Sequence, residues 1–297
     1  MRSSSAGTKA LRLDRARGCL LGAALGDALG ATVEFMSRSE IKARYGVHKK
    51  IIGGGWLYLK PGYVTDDTQM SICVARSLLK CGGFDAVDMA DTFVEWMRTG
   101  PVDIGSTVAQ GLRRYIAKGS VAAKECQWHG GNGALMRVAP IAIAALGCPD
   151  SLEGWAVGQA HITHNHPLSD AVCVAVSRMI QSALSEKPLL DLLEIAHELV
   201  REHPEFTFRP YDGKAGGFVG ETFATAFSSF YNTDNFEDCL VECVNKGGDA
   251  DTTGAVAGMV AGAWYGARGL PKKWLNKLER NTKKELIGLA EALLEIG

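Results

Sequence analysis

This sequence of 297 residues has no excess of charge of either sign, because 32 lysine and arginine residues are balanced by 33 aspartate and glutamate residues. That balance argues against a nucleic-acid-binding surface, which needs a basic excess. No apolar run reaches the roughly 20 residues that a membrane-spanning helix requires, so we expect no transmembrane segment. None of the eight cysteines belongs to a C-x-x-C pair. We therefore expect reduced thiols and a cytoplasmic protein.

Sequence motifs of several common enzyme classes are also missing. There is no G-x-x-x-x-G-K-[ST] phosphate-binding loop, no G-x-S-x-G serine nucleophile motif and no H-E-x-x-H zinc motif. The segment Asp249–Gly254 begins like a calcium-binding EF-hand loop, but Val260 stands where that loop needs a glutamate. These absences argue against a P-loop nucleotide hydrolase, a serine hydrolase of that type, a zinc protease and an EF-hand protein.

Apolar residues recur mainly at intervals of three and four, which is the periodicity of an amphipathic helix. Alternating strand patterns are scarce, and no linker rich in proline and serine divides the chain. We therefore predict one all-α domain over residues 11–297, preceded by a flexible N-terminal tail over residues 1–10. Helices are predicted over residues 70–80, 85–98, 104–118, 168–184, 189–202, 220–231, 236–245 and 283–296.

Glycine is abundant, with 35 residues, and in two segments it occupies every fourth position. These positions are Gly22, Gly26 and Gly30 in the first segment, and Gly254, Gly258, Gly262 and Gly266 in the second. Residues four apart share one helix face, and a glycine inside a helix costs about 0.5–1 kcal/mol relative to alanine. The pattern therefore predicts two central helices with closely packed backbones, which would bring Asp27 and Glu34 near residues 249–253.

Two acidic clusters stand at predicted helix starts, Thr65-Asp66-Asp67-Thr68 and Asp249-Ala250-Asp251-Thr252. Threonine and aspartate are common N-cap residues, so helix capping is one interpretation of each cluster. However, adjacent carboxylates repel one another unless a cation lies between them, and hard divalent ions prefer oxygen ligands. Four aspartates carry a charge that balances two divalent ions. The clusters therefore predict a dimetal site, to which Thr65 and Thr252 would add neutral oxygen ligands.

These clusters, together with Gly22-x-x-x-Gly26-Asp27, Gly131-Asn132-Gly133 and His161–His164, occur in an order that resembles the ADP-ribosylglycohydrolase family. The resemblance implies a single compact orthogonal helical bundle and two divalent metal ions, Mn²⁺ before Mg²⁺. The implied metal ligands are Thr65, Asp66, Asp67, Asp249, Asp251 and Thr252. The implied catalytic residues are Asp103 and Glu34, and the implied substrate-binding residues are Gly131, Asn132, Gly133 and His164.

Several of these roles have structural alternatives. Asp103 follows a proline closely and is also a natural N-cap, whereas Glu34 is also compatible with a surface position. Gly131-Asn132-Gly133 is also compatible with a simple turn. His164 is also compatible with a structural role in the core.

The resemblance also implies an activity, namely hydrolysis of the N-glycosidic bond between ADP-ribose and a protein arginine. It further implies nitrogenase iron protein as the substrate, a PII-type signalling protein as regulator, and regulated peripheral association with a membrane. Attack by water and a transient ribosyl–carboxylate adduct both fit the residues. The alternative functions are hydrolysis of ADP-ribosyl-serine or of a free ADP-ribose conjugate, and a non-catalytic module that binds ADP-ribose.

Overall fold

A computed structural model describes the backbone of residues 2–296 and the side chains from Gly7 to Ile296. Within this range the chain forms helices and three isolated β-bridges but no strand, so the predicted all-α fold is confirmed. The α-helices are α1 (Arg2–Gly30), α2 (Arg38–Tyr45), α3 (Asp66–Cys81), α4 (Ala86–Arg98), α5 (Ser106–Lys118), α6 (Ala139–Ala144), α7 (Leu152–His161), α8 (Pro167–Leu184), α9 (Leu189–Glu202), α10 (Val219–Tyr231), α11 (Phe236–Val244), α12 (Ala250–Tyr265), α13 (Lys272–Leu275) and α14 (Arg280–Leu293).

Helices α1 and α12 form the centre of the fold, and their backbones touch along the two glycine faces. A Cβ atom placed on Gly26 would lie 1.9 Å from the carbonyl oxygen of Gly254. Conversely, a Cβ atom on Gly258 would lie 2.1 Å from the carbonyl oxygen of Gly22. No side chain fits between atoms so close, and the predicted packing is therefore confirmed. Gly18, which the sequence pattern did not single out, extends the contact to Gly262.

The N-terminal end of α1 differs from the expected tail. The helix runs back to Arg2, so the backbone of residues 2–10 is helical, whereas Met1 lies outside the described residues. Lys9 pairs with Glu295, with 2.9 Å between Nζ and Oε1, and both side chains are exposed. Exposed ion pairs contribute little to stability. The flexibility of residues 1–10 therefore stays a prediction.

The C-terminal end of α1 meets the N-terminal ends of α3 and α12. Asp27, in the last turn of α1, is fully buried and accepts hydrogen bonds from the backbone N–H groups of Thr65 and Thr68, at 3.0 and 3.2 Å. After α1, Phe35 donates its N–H to the carbonyl of Gly248, just before α12. These contacts bring both acidic clusters to one end of the central helix pair.

Candidate active site and metal centre

The two acidic clusters open into one cavity of about 360 Å³. Glu34 and Asp103 line the cavity beside the clusters, and Gly131–Gly133 and His164 line another part of its wall. The fold therefore gathers both proposed catalytic residues, all four proposed substrate-binding residues and three of the four clustered aspartates around one space. The fourth clustered aspartate, Asp67, and Thr65 lie deeper, with 2% and 0% of their surfaces exposed.

Asp27 holds the first acidic cluster in place through hydrogen bonds to Thr65 and Thr68. Besides the two backbone N–H groups, the hydroxyl of Thr68 donates to its carboxylate. Burial raises the pKa of Asp27 to about 6, and the hydrogen bonds from Thr68 and Thr65 oppose this rise. Thr65 occupies the N-cap position of α3 but makes no capping hydrogen bond through its side chain. Its hydroxyl oxygen lies 3.1 Å from a carboxylate oxygen of Asp67.

Asp67 connects the first cluster to the second. Its Oδ2 atom lies 3.4 Å from the hydroxyl oxygen of Thr252. Its Oδ1 atom is buried and has no hydrogen-bond partner among the described residues. Burial is the main cause that raises the pKa of Asp67 well above its usual value, and the neighbouring charge of Asp66 adds to the effect. A buried carboxylate oxygen without a partner is costly, unless a cation binds it.

Asp249 and Asp251 bring the second cluster to the same space. Asp249 is the N-cap residue of α12, but its side chain accepts no capping hydrogen bond from the helix backbone. Instead, its Oδ2 atom accepts a hydrogen bond from Asn132 Nδ2 at 2.9 Å. Asp251 is buried, and burial followed by the charges of Asp67 and Asp249 raises its pKa well above the usual value. The capping interpretation of both clusters is therefore wrong for the residues at the N-cap positions.

Glu34, Asp103 and Asp251 each place a carboxylate oxygen within 4.8 Å of the other two. Burial raises the pKa of Glu34 to about 8, although a hydrogen bond from Trp56 opposes this rise. Only 7% of the surface of Glu34 is exposed, so the surface interpretation of this residue is wrong. Asp103 does not cap α5 either, because Gly105 is the N-cap residue, and burial raises the pKa of Asp103.

The residues present fit a divalent metal. The donor set consists of carboxylate and hydroxyl oxygens, which suit hard ions such as Mg²⁺ and Mn²⁺ rather than zinc. Burial, and then the charges of neighbouring carboxylates, raise the pKa values of Asp66 and Asp251. Together with the unpartnered Oδ1 atom of Asp67, this describes buried carboxyl groups that need protons or cations to be stable. The buried acidic cluster is therefore a candidate metal centre.

The loop Gly131-Asn132-Gly133 begins a short 3₁₀ helix, Asn132–Arg137, and lies against His164. Asn132 donates its backbone N–H to the carbonyl of Gly217 at 3.1 Å and its side-chain amide to Thr222 at 2.9 Å. A Cβ atom on Gly133 would lie 2.7 Å from His164 Cε1, so this glycine is required for the close contact. The loop is thus more than a simple turn, since it shapes the cavity wall.

The neighbouring histidines have contacts of their own. His161 Nε2 lies 2.9 Å from Asp170 Oδ2, and Nδ1 of His166 accepts a hydrogen bond from the backbone N–H of Leu168 at the start of α8.

Sequence reasoning missed Trp56, whose indole N–H donates a hydrogen bond to Glu34. The only signal for Trp56 was its position after three consecutive glycines, which indicated a loop but not its direction.

Comparison with known proteins identifies the family. The model of the ADP-ribosylglycohydrolase family matches residues 8–297. The chain belongs to this family. It is 47% identical to the ADP-ribosyl-[dinitrogen reductase] glycohydrolase of Rhodospirillum rubrum, over 95% of this chain and 96% of that protein. It is 32% identical to ADP-ribosylarginine hydrolase Tri1 of Serratia proteamaculans, over 95% of this chain and 79% of that protein.

A solved structure supports the same assignment. The ADP-ribosylglycohydrolase-related protein complex superimposes on this family member with a TM-score of 0.86 and 35% sequence identity. The match covers 96% of this chain and 98% of that chain. The all-α bundle is therefore the ADP-ribosylglycohydrolase fold, as the sequence motifs predicted.

Proposed function

We propose that this protein hydrolyses the N-glycosidic bond that links ADP-ribose to an arginine side chain of a protein. The observation that carries the proposal is the convergence of Glu34, Asp103 and Asp251 within 4.8 Å, in a cavity whose other wall is the Gly131–Gly133 loop. The proposed protein substrate is dinitrogen reductase, the iron protein of nitrogenase. Its support is the 47% identity to a glycohydrolase named for that substrate.

The proposed metal ligands are the oxygen-bearing residues of the two acidic clusters. Thr65, Asp66 and Asp67 would contribute from the start of α3, and Asp249, Asp251 and Thr252 from the start of α12. Four carboxylates balance two divalent ions, for which we propose Mn²⁺, with Mg²⁺ as the alternative. When bound, such ions would supply Lewis-acid chemistry, which polarises substrate oxygen atoms and lowers the pKa of water.

Glu34 and Asp103 would act on the bond that breaks. Its cleavage builds positive charge on the ribose, as in other glycoside hydrolyses, and nearby carboxylates stabilise that charge. Because Oε2 of Glu34 accepts the Trp56 N–H, Oε1 is the atom that would take or hold a proton. Asp103 would face the guanidinium, since a carboxylate can form paired hydrogen bonds with this group. Direct attack by water and a ribosyl–carboxylate adduct are both compatible with this arrangement.

The Gly131–Gly133 loop and His164 would bind the rest of the substrate. Glycines allow a backbone to approach a ligand closely, and N–H groups of such loops bind anions. We assign the diphosphate of ADP-ribose to this wall of the cavity.

A PII-type regulator, a cytoplasmic location and regulated peripheral association with a membrane stay predictions. No helix in the described part of the chain is long and apolar enough to cross a membrane.

The test is release of ADP-ribose from defined substrates. The protein would be incubated with Mn²⁺ and either arginine-ADP-ribosylated dinitrogen reductase or a serine-ADP-ribosylated protein, with Asp251→Ala as the inactive control. We expect release from the arginine-linked substrate and much slower release from the serine-linked one. Preference for the serine linkage would replace arginine by serine as the target. Binding of ADP-ribose without release from either substrate would favour the non-catalytic module.

A further inference from the structure

Arg137, the last residue of the 3₁₀ helix beside the cavity, is a fully buried cation without a carboxylate partner among the described residues. Its guanidinium donates to the side chain and the backbone carbonyl of Gln159, at 2.8 and 2.9 Å, and to the hydroxyl of Thr163 at 2.9 Å. It also lies 4.6 Å from the centre of the Phe93 ring. This fixed cation determines which atom donates in the hydrogen bond between Thr163 and His164.

The hydroxyl of Thr163 lies between Arg137 and His164 and is hydrogen-bonded to both. Because an arginine side chain only donates, the Thr163 oxygen accepts from Arg137. The hydroxyl proton of Thr163 then has one acceptor within reach among the described residues, the Nδ1 atom of His164 at 2.8 Å. If Nδ1 carried a proton instead, the buried hydroxyl proton would have no acceptor, which is costly. Nδ1 is therefore the acceptor, and the ring proton lies on Nε2.

The Nε2 edge of His164 faces the cavity wall. A Cβ atom on Gly131 would lie 3.4 Å from Nε2, and one on Gly133 would lie 3.1 Å away. Within the described range, no protein group makes a hydrogen bond to Nε2, although only 2% of the surface of His164 is exposed. The N–H is thus a donor that reaches the cavity beside a glycine loop, with space for an acceptor from a ligand.

We infer that Arg137 and Thr163 are positioning residues that hold His164 in the Nε2–H tautomer, so that it presents an uncharged donor to an oxygen atom of the substrate. This inference rests on the proposed function, in which that oxygen belongs to the ADP-ribosyl group. Burial and the charge of Arg137 lower the pKa of His164 well below its usual value, which is consistent with a neutral ring. His164 would then recognise its ligand by direction rather than by charge.

The tautomer is measured on the Mg²⁺-loaded protein without substrate. Long-range ¹H–¹⁵N spectra of histidine-labelled protein distinguish a protonated from an unprotonated ring nitrogen for each of the seven histidines. A His164→Asn spectrum assigns the signal. We expect a protonated Nε2 and an unprotonated Nδ1 in the parent and in Thr163→Ser, and loss of this bias in Thr163→Val. A proton on Nδ1, or on both nitrogens, in the parent would overturn the inference even if neither variant folds.

Kinetics test the use of this donor. Thr163→Val is expected to raise KM for the arginine-linked substrate about tenfold, with a smaller effect on kcat, because a hydrogen bond to a charged acceptor is lost. Thr163→Ser keeps the hydroxyl and is expected to restore the parental KM. Equal KM values in all three proteins would show that the tautomer does not serve binding. If the parent releases no ADP-ribose, the proposed function fails, and the spectrum alone decides whether Arg137 and Thr163 hold the tautomer.

Discussion

The indole N–H of Trp56 donates a hydrogen bond to Oε2 of Glu34 over 2.6 Å. Trp56 follows three glycines with left-handed backbone angles, φ 66–83°, and a Cβ atom on Gly55 would lie 2.2 Å from the carbonyl oxygen of Ala31. Phe35, itself at a φ of 62°, places its ring 5.4 Å from that of Trp56. The loop thus fixes one oxygen of Glu34 and leaves the other free for chemistry.

Trp56→Phe keeps an aromatic ring but removes this donor. We expect kcat to fall about tenfold or more, since hydrogen bonds to charged groups contribute about 1.5–3 kcal/mol. The melting temperature is expected to change little, because Trp56 is half exposed at 48%. Tyr58→Phe is the matched control, as Tyr58 lies in the same loop with 89% of its surface exposed. Equal kcat values for the two variants would remove Trp56 from the site.

Asp251→Asn tests the metal centre. We expect the variant to keep its helical circular dichroism but to bind Mn²⁺ much more weakly, by calorimetry, and to lose nearly all turnover. In metal-free buffer it is expected to melt at a higher temperature than the parent, because one of several mutually repelling buried carboxylates is gone. Asp150→Asn, at an exposed position, serves as the control. Full activity of the Asp251 variant after metal depletion would contradict the dimetal site.

The acidic cavity also predicts how the stability of the metal-free protein depends on pH. The folded-state pKa values of Asp27, Asp66 and Glu34 are raised to about 6, 7 and 8. These groups bind protons in the folded state at pH values where the unfolded chain has lost them. Their stabilising contribution is therefore complete below about pH 4 and is lost as the pH rises through 6 to 8.

We accordingly expect the melting temperature of the metal-free protein to decrease from pH 5.5 to pH 8.5. Saturating Mg²⁺ should oppose this decrease, because the cation replaces the protons on the carboxylates. Scanning fluorimetry at constant ionic strength, with EDTA or with Mg²⁺, measures both curves. Parallel curves would mean that the acidic groups do not bind the ion.

The glycine contact between α1 and α12 is tested by one added methyl group. Gly26→Ala places a Cβ atom where the carbonyl oxygen of Gly254 lies 1.9 Å away, and overpacking of this kind costs typically 1–3 kcal/mol or more. We expect a lower free energy of unfolding in urea and weaker Mn²⁺ binding. Gly288→Ala in α14, where no atom lies within 4 Å, is the control and is expected to stabilise by about 0.5–1 kcal/mol. Parental stability of Gly26→Ala would refute the close packing.

Asp103→Asn removes a charge from the cavity but keeps the size of the side chain. We expect kcat on the arginine-linked substrate to fall about 100-fold or more, within the range for loss of an acid–base group. Bound metal is expected to stay near the parental value, because Asp103 is not among the proposed metal ligands. The melting temperature of the metal-loaded protein is expected to change little, because Asp103 does not cap α5. A parental kcat would remove Asp103 from the proposed catalytic residues.

The sequence predicted the parts of the site that local patterns encode. Glycine at every fourth position revealed the α1–α12 contact, and paired aspartates at helix starts revealed the acidic centre. The capping interpretation of Asp103 was wrong because α5 begins at Ser106, after a loop whose Gly105 N–H donates to Asp66 across the cavity. Helices as short as α6 and α13 give no readable periodicity.

Contacts between distant segments could not be predicted in the same way. The Trp56–Glu34 bond depends on the path of a glycine loop, and the Arg137–Thr163 bond joins segments 26 residues apart. Arginine and threonine are ordinary residues by sequence pattern. Only the folded arrangement shows that this arginine is fully buried, with no carboxylate partner in the part of the chain that the structure describes.

The glycine pairing of α1 and α12 has a consequence for how the chain finds its native alignment. Gly22 meets Gly258 and Gly26 meets Gly254, so a slide by one helical turn, about 5.4 Å, would again set glycine against glycine. The smooth faces therefore permit more than one register of nearly equal fit. Contacts outside the glycine faces must tell the registers apart, among them those of Asp27 with Thr65 and of Phe35 with Gly248. The residues that assemble the acidic cavity thus also help to specify which alignment of the central helices is native.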